Sequence, residues 1–299
     1  MFQKKSLGQN FLRSEKALNQ MADAGDITEY VDNIVEIGPG EGVLTEKILN
    51  KRPKNLVLIE KDDRLIPILC EKFDLEKTEE GENRYESKLK KGKTTKITLI
   101  HEDTTEIESF PELFRSPLSK DLTENPVRES GYKVIANIPY YITGLIIRQL
   151  FSQAILPETV VLLMQKEVVD RVVSQGTDNE GKESLLSASI KFYGTPKKVA
   201  VVPKGAFVPA PTVDSAILSI SNIKKPEAKL EQAYFEIAKR GFAHKRKRLA
   251  KNLDGVLGKK AKEWEEVLAK ESLDVNVRAE EISSETYARL AVRILNDIA

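Results

Sequence analysis

The run Ile34-Val-Glu-Ile-Gly-Pro-Gly-Glu-Gly42 constrains the fold of this chain more than any other feature. A β-rich stretch ends in three alternating glycines, and Val43–Leu49 continues as a predicted helix. Glycine lets the backbone come close to a ligand, and a helix N-terminus offers free N–H groups. Strand, glycine turn and helix in that order build an open α/β sheet with a ligand crevice at the carboxyl ends of its strands. Glu60 sharpens this expectation. It ends a second apolar run, Leu56–Ile59, about 20 residues after Gly38, where nucleotide sites carry an acid for ribose hydroxyls. The glycine spacing differs from the dinucleotide fingerprint and no Walker lysine follows, which points away from NAD and ATP and toward another adenosine-bearing ligand.

A second strand tip is richer in chemistry. Val134–Ala136 reads as a short buried strand, broken by Asn137-Ile-Pro-Tyr140. Pro139 has no N–H and fixes its own φ, so the ladder stops and Asn137, Pro139 and Tyr140 stand on a rigid turn. These residue types suit the holding of a planar amine. An amide oxygen and a backbone carbonyl accept its two hydrogens and favour a pyramidal nitrogen. A tyrosine face stacks the attached base, worth about 1–3 kcal/mol. An ordinary strand-to-helix turn accounts for the tetrapeptide equally well. Ile97–Ile100 reads as another strand and puts Asp103 at its tip, in reach of the same ligand's base edge; a turn or helix cap is the equal alternative. Phe207-Val-Pro-Ala-Pro-Thr-Val-Asp-Ser215 lies between two closing strands, Val199–Val202 and Ala216–Ile220. Its prolines stiffen a loop that presents Phe207 at the edge of the site, either as Tyr140's partner around a flipped base or as a packing anchor.

Strand and helix alternate through the first three-quarters of the chain, as in a doubly wound, mainly parallel sheet. Thr143 is expected to cap a helix through Phe151, and Gln165–Val173 and Ser184–Phe192 read as further helices. Glu76–Lys96 and Ser116–Gly131 are polar, and the first is too poor in apolar surface to order itself, so an exposed, mobile insertion is expected there. After Lys224 only helical spacing remains. The expected division is therefore 1–224, with an N-terminal arm over 1–13 anchored by Phe11 and Leu12, and a helical domain over 225–299. Within the latter, Lys239–Lys251 holds seven Lys/Arg and no acid, although the whole chain carries a net charge of only +1. Lys245, Arg246, Lys247 and Arg248 form the centre of this expected contact surface for a phosphate backbone. One cysteine and two histidines leave no material for a disulfide or a Cys/His metal centre. No apolar run has the length of a membrane span and no signal peptide is recognised, so a cytoplasmic protein is expected.

Seven stretches then occur in order: Gly-Gln-Asn-Phe-Leu at 8–12, Val-Glu-Ile-Gly-Pro-Gly at 35–40, Ile-Glu-Lys-Asp at 59–62, Asn-Ile-Pro-Tyr at 137–140, Gln-Lys-Glu-Val-Val at 165–169, the 207–215 segment, and Arg-Ala-Glu-Glu-Ile-Ser at 278–283. Together they resemble the ribosomal RNA adenine N6-dimethyltransferases of the bacterial small-subunit type. The resemblance implies an α/β fold, a Rossmann-like class I methyltransferase sheet with a small all-helical C-terminal domain. It implies S-adenosyl-L-methionine as cofactor. It also implies an enzyme that dimethylates two adjacent adenosines in a hairpin near the 3′ end of small-subunit rRNA, within an immature 30S-type particle; a monomer is expected. By position, Asn10 and Leu12 contact the cofactor from the arm. Gly38 and Gly40 face its amino-acid part, Glu60 its ribose and Asp103 its adenine. Asn137 lies between methyl donor and target amine, where it and the Ile138 or Pro139 carbonyl hold the N6 hydrogens while Tyr140 and Phe207 stack the base. The sulfonium carries its own good leaving group, so neither a metal nor a covalent intermediate is required. The chain departs from the family pattern near Ser184–Ser187, where the usual Tyr-Gly is missing, and in its two longer polar segments. The competing readings are the large-subunit adenine methyltransferase of macrolide resistance, a catalytically idle ribosome assembly factor on the same fold, and a DNA adenine methyltransferase.

Overall fold

The computed structural model describes residues 10–79, 83–87, 95–115, 127, 131–174, 182–244 and 246–298. Its strands are β1 (Phe11–Leu12), β2 (Asn33–Ile37), β3 (Asn55–Glu60), β4 (Leu75–Lys77), β5 (Arg84–Ser87), β6 (Lys96–His101), β7 (Lys133–Ala136), β8 (Thr159–Gln165), β9 (Thr195–Val202), β10 (Phe207–Val208) and β11 (Ser215–Ser221). Its helices are α1 (Glu15–Ala24), α2 (Val43–Leu49), α3 (Ile66–Phe73), α4 (Tyr140–Phe151), α5 (Lys166–Val173), α6 (Leu185–Tyr193), α7 (Ala228–Gly241), α8 (Leu249–Asn252), α9 (Ala261–Lys270) and α10 (Ser284–Ile298).

Among the described residues, nine strands form one sheet in the order β4-β5-β6-β3-β2-β7-β8-β11-β9. The five central strands, β6 to β8 in that order, run parallel. They are nearly continuous Val/Ile/Leu runs because both faces are covered, as parallel strands require. β11 returns antiparallel to β8. Register aligns the strand ends: Ile37 stands beside both Ile59 and Ala136, and Glu60 beside His101. The residues that follow, Gly38, Asp103 and Asn137, therefore leave the sheet along one edge. From β2 the chain first builds outward through β3 and then returns on the other side with β7. The crevice opens at that reversal of strand order, as the rule for open α/β sheets has it. The expected doubly wound sheet is present.

Two local expectations differ. Residues 75–77 and 84–87, within or beside the stretch expected to be mobile, form a hairpin that extends the sheet edge beside β6. Its alternation explains this: Tyr85 packs toward the core, while Arg84 and Lys96 both pair with the Glu86 carboxylate, each at 2.9 Å. An edge strand needs only one apolar side. Residues 80–82 and 88–94, and most of 116–130, lie outside the described residues. Thr143 does not cap α4. The helix begins at Tyr140 with Pro139 in the cap position, and Thr143 is buried in its first turn with Oγ1 donating to the Pro139 carbonyl at 3.4 Å.

The chain forms two compact units, one of Met1–Lys166 with Lys197–Ile223, the other of Glu167–Pro196 with Lys224–Ala299. The chain thus passes into the helical unit twice, with 167–196 joining it as well as the C-terminal segment. The sheet unit has its core in Leu18, Met21, Ile34, Leu58, Leu69, Leu99 and Ile135. The helical unit has its own around Tyr234, Ile237, Leu249, Trp264, Tyr287 and Leu290. Phe192 of α6 stacks on Tyr234 with ring centroids 3.8 Å apart, and the Tyr234 hydroxyl donates to the Ala188 carbonyl at 2.9 Å. In place of the missing Tyr-Gly, Ser184 and Ser187 form a reciprocal cap at the start of α6.

Candidate active site

The glycine turn after β2 sets the floor of the crevice. Gly40 has φ +61° and a Cβ there would stand 3.3 Å from the Phe11 ring. Gly42 has φ +73° and its Cβ would meet the Phe73 ring at 2.7 Å. A side chain at either position is strained by backbone and by contact together. Across this turn lies the N-terminal arm. β1 pairs antiparallel with β10, Leu12 opposite Phe207. Arg13 fastens the arm to the turn through Glu41, Nη1 to Oε2 at 2.8 Å, and its N–H donates to the Ala206 carbonyl.

Glu60, at the tip of β3, is buried and its carboxylate is gripped by the backbone. Oε1 accepts from the N–H groups of Lys61 and Asp62, and Oε2 from that of Gly40 at 3.1 Å. Burial pushes this carboxyl above its ordinary range, against the pull of the Asp62 and Gly40 hydrogen bonds. A carboxylate offers about four acceptor positions, so Oε2, with one N–H donor, has acceptor capacity to spare in the crevice lining. Asp103 serves as a cap, with Oδ1 accepting from the Thr105 N–H at 3.0 Å, and Oδ2 lies 3.2 Å from Lys61 Nζ. Burial works against ionisation here, but the Thr105 and Lys61 contacts hold the carboxyl below its usual range. Capping and a place in the crevice wall coexist at this residue.

At the tip of β7 the turn leaves two groups unmatched. Neither the Asn137 side-chain amide nor the Ile138 carbonyl has a hydrogen-bond partner among the described residues. The Pro139 carbonyl is already taken, accepting from Ile142 N–H at 3.2 Å and from Thr143 Oγ1. Of the two carbonyls considered from sequence, Ile138's is the one left open. Tyr140 is fixed by its hydroxyl, 2.6 Å from Ser215 Oγ on β11. Phe207 is not on a loop. It sits in β10, 4% exposed and packed into the sheet-unit core, with one side on the crevice. The ten residues picked from sequence in this unit, Asn10, Leu12, Gly38, Gly40, Glu60, Asp103, Asn137, Pro139, Tyr140 and Phe207, line a single crevice.

Sequence reasoning assigned no role to Glu36. It lies within β2, fully buried, with its side chain on the crevice. Burial pushes its carboxyl up to about 8. The Thr45 hydroxyl approaches it, yet neither Glu36 oxygen nor Thr45 Oγ1 meets hydrogen-bond geometry with any described group. The available signal was an acid inside an otherwise apolar strand, immediately before the glycines. Unpartnered buried carboxyl oxygens are rare in folded proteins and call for an explanation.

In the helical unit the basic run follows α7. Lys245 lies outside the described residues; Arg246 and Lys247 are exposed. Arg248 is less free than expected, since its Nη1 stands 3.5 Å from Glu265 Oε1. Lys239, Arg240 and Lys251 add exposed cations, and among the described residues of the run Arg248 is the one with an ion pair.

Comparison with known proteins extends these observations over the whole chain. A family model described as Ribosomal RNA adenine dimethylase matches residues 2–295. The chain is 35% identical over 293 residues to Ribosomal RNA small subunit methyltransferase A of Streptococcus gordonii, covering 96% of this chain and 90% of that protein. It is 36% identical over 291 residues to the protein of that name from Dehalococcoides mccartyi, covering 97% and 87%. Among solved structures, a dimethyladenosine transferase from Plasmodium falciparum superposes with a TM-score of 0.69 at 22% identity, covering 96% of this chain and 98% of that one. The 23S rRNA methyltransferase ErmE gives 0.66 at 21%, covering 95% and 99%. At those identities the structural likeness speaks for the fold alone.

Proposed function

This chain belongs to the ribosomal RNA adenine dimethylase family, and from that premise we propose that it transfers methyl groups from S-adenosyl-L-methionine to N6 of adenosines in small-subunit rRNA. The finer reading is two adjacent adenosines in a hairpin near the 3′ end, methylated as a step of ribosome biogenesis. It works as a cytoplasmic monomer on an immature 30S-type particle, without a metal. No helix among the described residues is long and apolar enough to cross a membrane.

The observation that carries the reading is the pair of free acceptors at the tip of β7, the Asn137 amide oxygen and the Ile138 carbonyl, on the wall of a crevice that also holds Glu36 and Glu60. The crevice suits a cationic, adenosine-bearing methyl donor. Glu36 is a buried carboxyl with nothing to pair with, Glu60 has one acceptor position left for a ribose hydroxyl, and the glycine turn leaves backbone accessible. Asn10 and Leu12 close the crevice from the arm, Gly38 and Gly40 would hold the donor's amino-acid part, and Asp103 would hold its adenine edge. Bound S-adenosylmethionine supplies a methyl group activated by a sulfonium. The protein's share is positioning and electrostatics. Asn137 and the Ile138 carbonyl would accept hydrogen bonds from the N6 hydrogens, two before the first transfer and one before the second, favouring a pyramidal nitrogen whose lone pair is out of conjugation and free to react. Tyr140, braced by Ser215, stacks the base from one side, and Phe207 backs it from the other. The surplus proton leaves to water after each transfer. Arg246 and Lys247, with Lys245 and Arg248 beside them, hold the phosphate backbone from the helical unit.

The test is methyl incorporation from labelled S-adenosylmethionine into immature small subunits, with large subunits and naked DNA alongside. Label recovered as N6-dimethyladenosine in small-subunit rRNA is the expected result. Label confined to large subunits moves the substrate to the resistance type, label confined to DNA makes it a DNA methyltransferase, and no label in any of them leaves a binding or assembly role.

A further inference from the structure

Helix α4 leaves the crevice at the Asn137 turn, and one of its faces is uncovered. Tyr141, Gly144, Leu145 and Arg148 are exposed and lie at i, i+3, i+4 and i+7, which is a single stripe along a helix. Tyr141 is 65% and Leu145 50% exposed. Single exposed apolar residues are ordinary. This pair differs because the stripe is continuous with the crevice, whose rim Tyr141 itself forms. At its far end, about 10 Å along the axis, the Arg148 guanidinium has no hydrogen bond or ion pair among the described residues. Gly144, between them, has open space where a Cβ would stand. A glycine within a helix weakens it relative to alanine, and no packing among the described residues accounts for this one. A ligand backbone coming close to the helix does account for it.

We infer that the stripe Tyr141–Gly144–Leu145–Arg148 is the docking surface for the single-stranded RNA next to the target adenosine, with Tyr141 under the neighbouring base and Arg148 on a phosphate. The inference deepens the function proposed above and rests on it. Aromatic face, apolar shelf and unpaired cation in succession match what a single strand presents, a base to stack and a charged backbone beside it. A protein partner has no matching need for a glycine gap between an aromatic ring and a lone arginine. Stacking on the neighbouring base would also hold the target nucleotide in its flipped position, so the surface contributes to choosing which adenosine enters.

Full-length Tyr141→Ala, Arg148→Glu and Gly144→Leu are compared with wild type by KM and kcat on small-subunit rRNA freed of protein and on immature subunits. S-adenosylmethionine affinity and melting temperature are measured beside them. Tyr141→Ala should raise the RNA KM about tenfold, and Tyr141→Phe should restore it. Arg148→Glu should lower the slope of RNA affinity against salt by about one. Gly144→Leu is the decisive variant, because it should leave the melting temperature unchanged or higher while raising the RNA KM. Cofactor affinity should stay within about twofold of wild type in all of them. RNA KM values and salt slopes equal to wild type overturn the inference. So does a Tyr141→Ala defect that resides in cofactor affinity, and so does a defect on subunits with none on free rRNA, which assigns the face to a ribosomal protein. Wild type inactive on every rRNA overturns the functional reading itself, and is seen before any variant is compared.

Discussion

Asn137 and Glu60 are both polar residues at strand tips, and they are held by opposite means. Three backbone N–H groups grip the Glu60 carboxylate, while the Asn137 amide is oriented by the turn and left without a partner. Removing a group of the second kind should reach the reaction and little else. Asn137→Ala is expected to cut methyl transfer about 100- to 1,000-fold, as for other preorganised hydrogen-bonding groups, with cofactor affinity within a few-fold of wild type by calorimetry. Retention of full activity contradicts the amine-holding role. Glu36 gives a pH-dependent prediction. Its carboxyl ionises from 4.5 in the unfolded chain but holds its proton to about 8 in the folded one. The folded state therefore binds the extra proton between these values, and stability falls as pH rises through that window. Glu36→Gln removes the penalty. The variant's melting temperature, without cofactor, should match wild type near pH 5 and exceed it near pH 8. A gap that stays constant across the window contradicts a neutral buried carboxyl. Asn137, Glu60 and Asp103 were legible because each follows an apolar run by position alone. Glu36 was not, because a charge inside such a run reads as an interruption until the structure shows which side of the strand it takes.

At the scale of elements, the glycine turn between β2 and α2 is where backbone and packing agree most closely. Gly42→Ala places a methyl at positive φ and within 2.7 Å of the Phe73 ring. The expected loss is roughly 1–3 kcal/mol from overpacking, read as a lowered midpoint in denaturant with unchanged slope. No change in midpoint means the turn relaxes freely. The order of β2, α2 and β3 was legible from this turn and from Glu60, since both depend on neighbours in sequence. The hairpin of β4 and β5 was not. Its Lys/Glu-rich composition describes a chain with no core of its own, and its order comes from lying against β6, a partner that composition cannot reveal. Phe207 was misplaced for a similar reason: β10 is two residues long and exists only because β1 pairs with it. The start of α4 was shifted because Thr143 has the chemistry of a cap but spends its hydroxyl on the Pro139 carbonyl inside the first turn.

For the whole molecule, the change to helical spacing after Lys224 marked the second unit. The passage of 167–196 into it was hidden, because α5 and α6 have the same amphipathic pattern wherever they pack. The distribution of charge was legible in the same way, as a property of the run rather than of any one side chain. Its paired member was not, since Glu265 is distant in sequence from Arg248. Reversal at Arg246 and Lys247 together should weaken RNA binding and reduce its salt slope by about two, one for each phosphate that is no longer neutralised. A slope equal to wild type removes the basic run from the interface. One long-range pairing has a consequence for the making of the protein. Leu12 is synthesised long before Phe207, its partner across β1 and β10, which comes after most of the sheet. Synthesis runs from the N-terminus, and pairings between distant positions form late. A growing chain therefore has its glycine turn early but lacks the outer wall of its crevice until Val208 has emerged. Ribosome-bound fragments ending before that point should fail to retain the methyl donor, so competence is gained in one late step of translation.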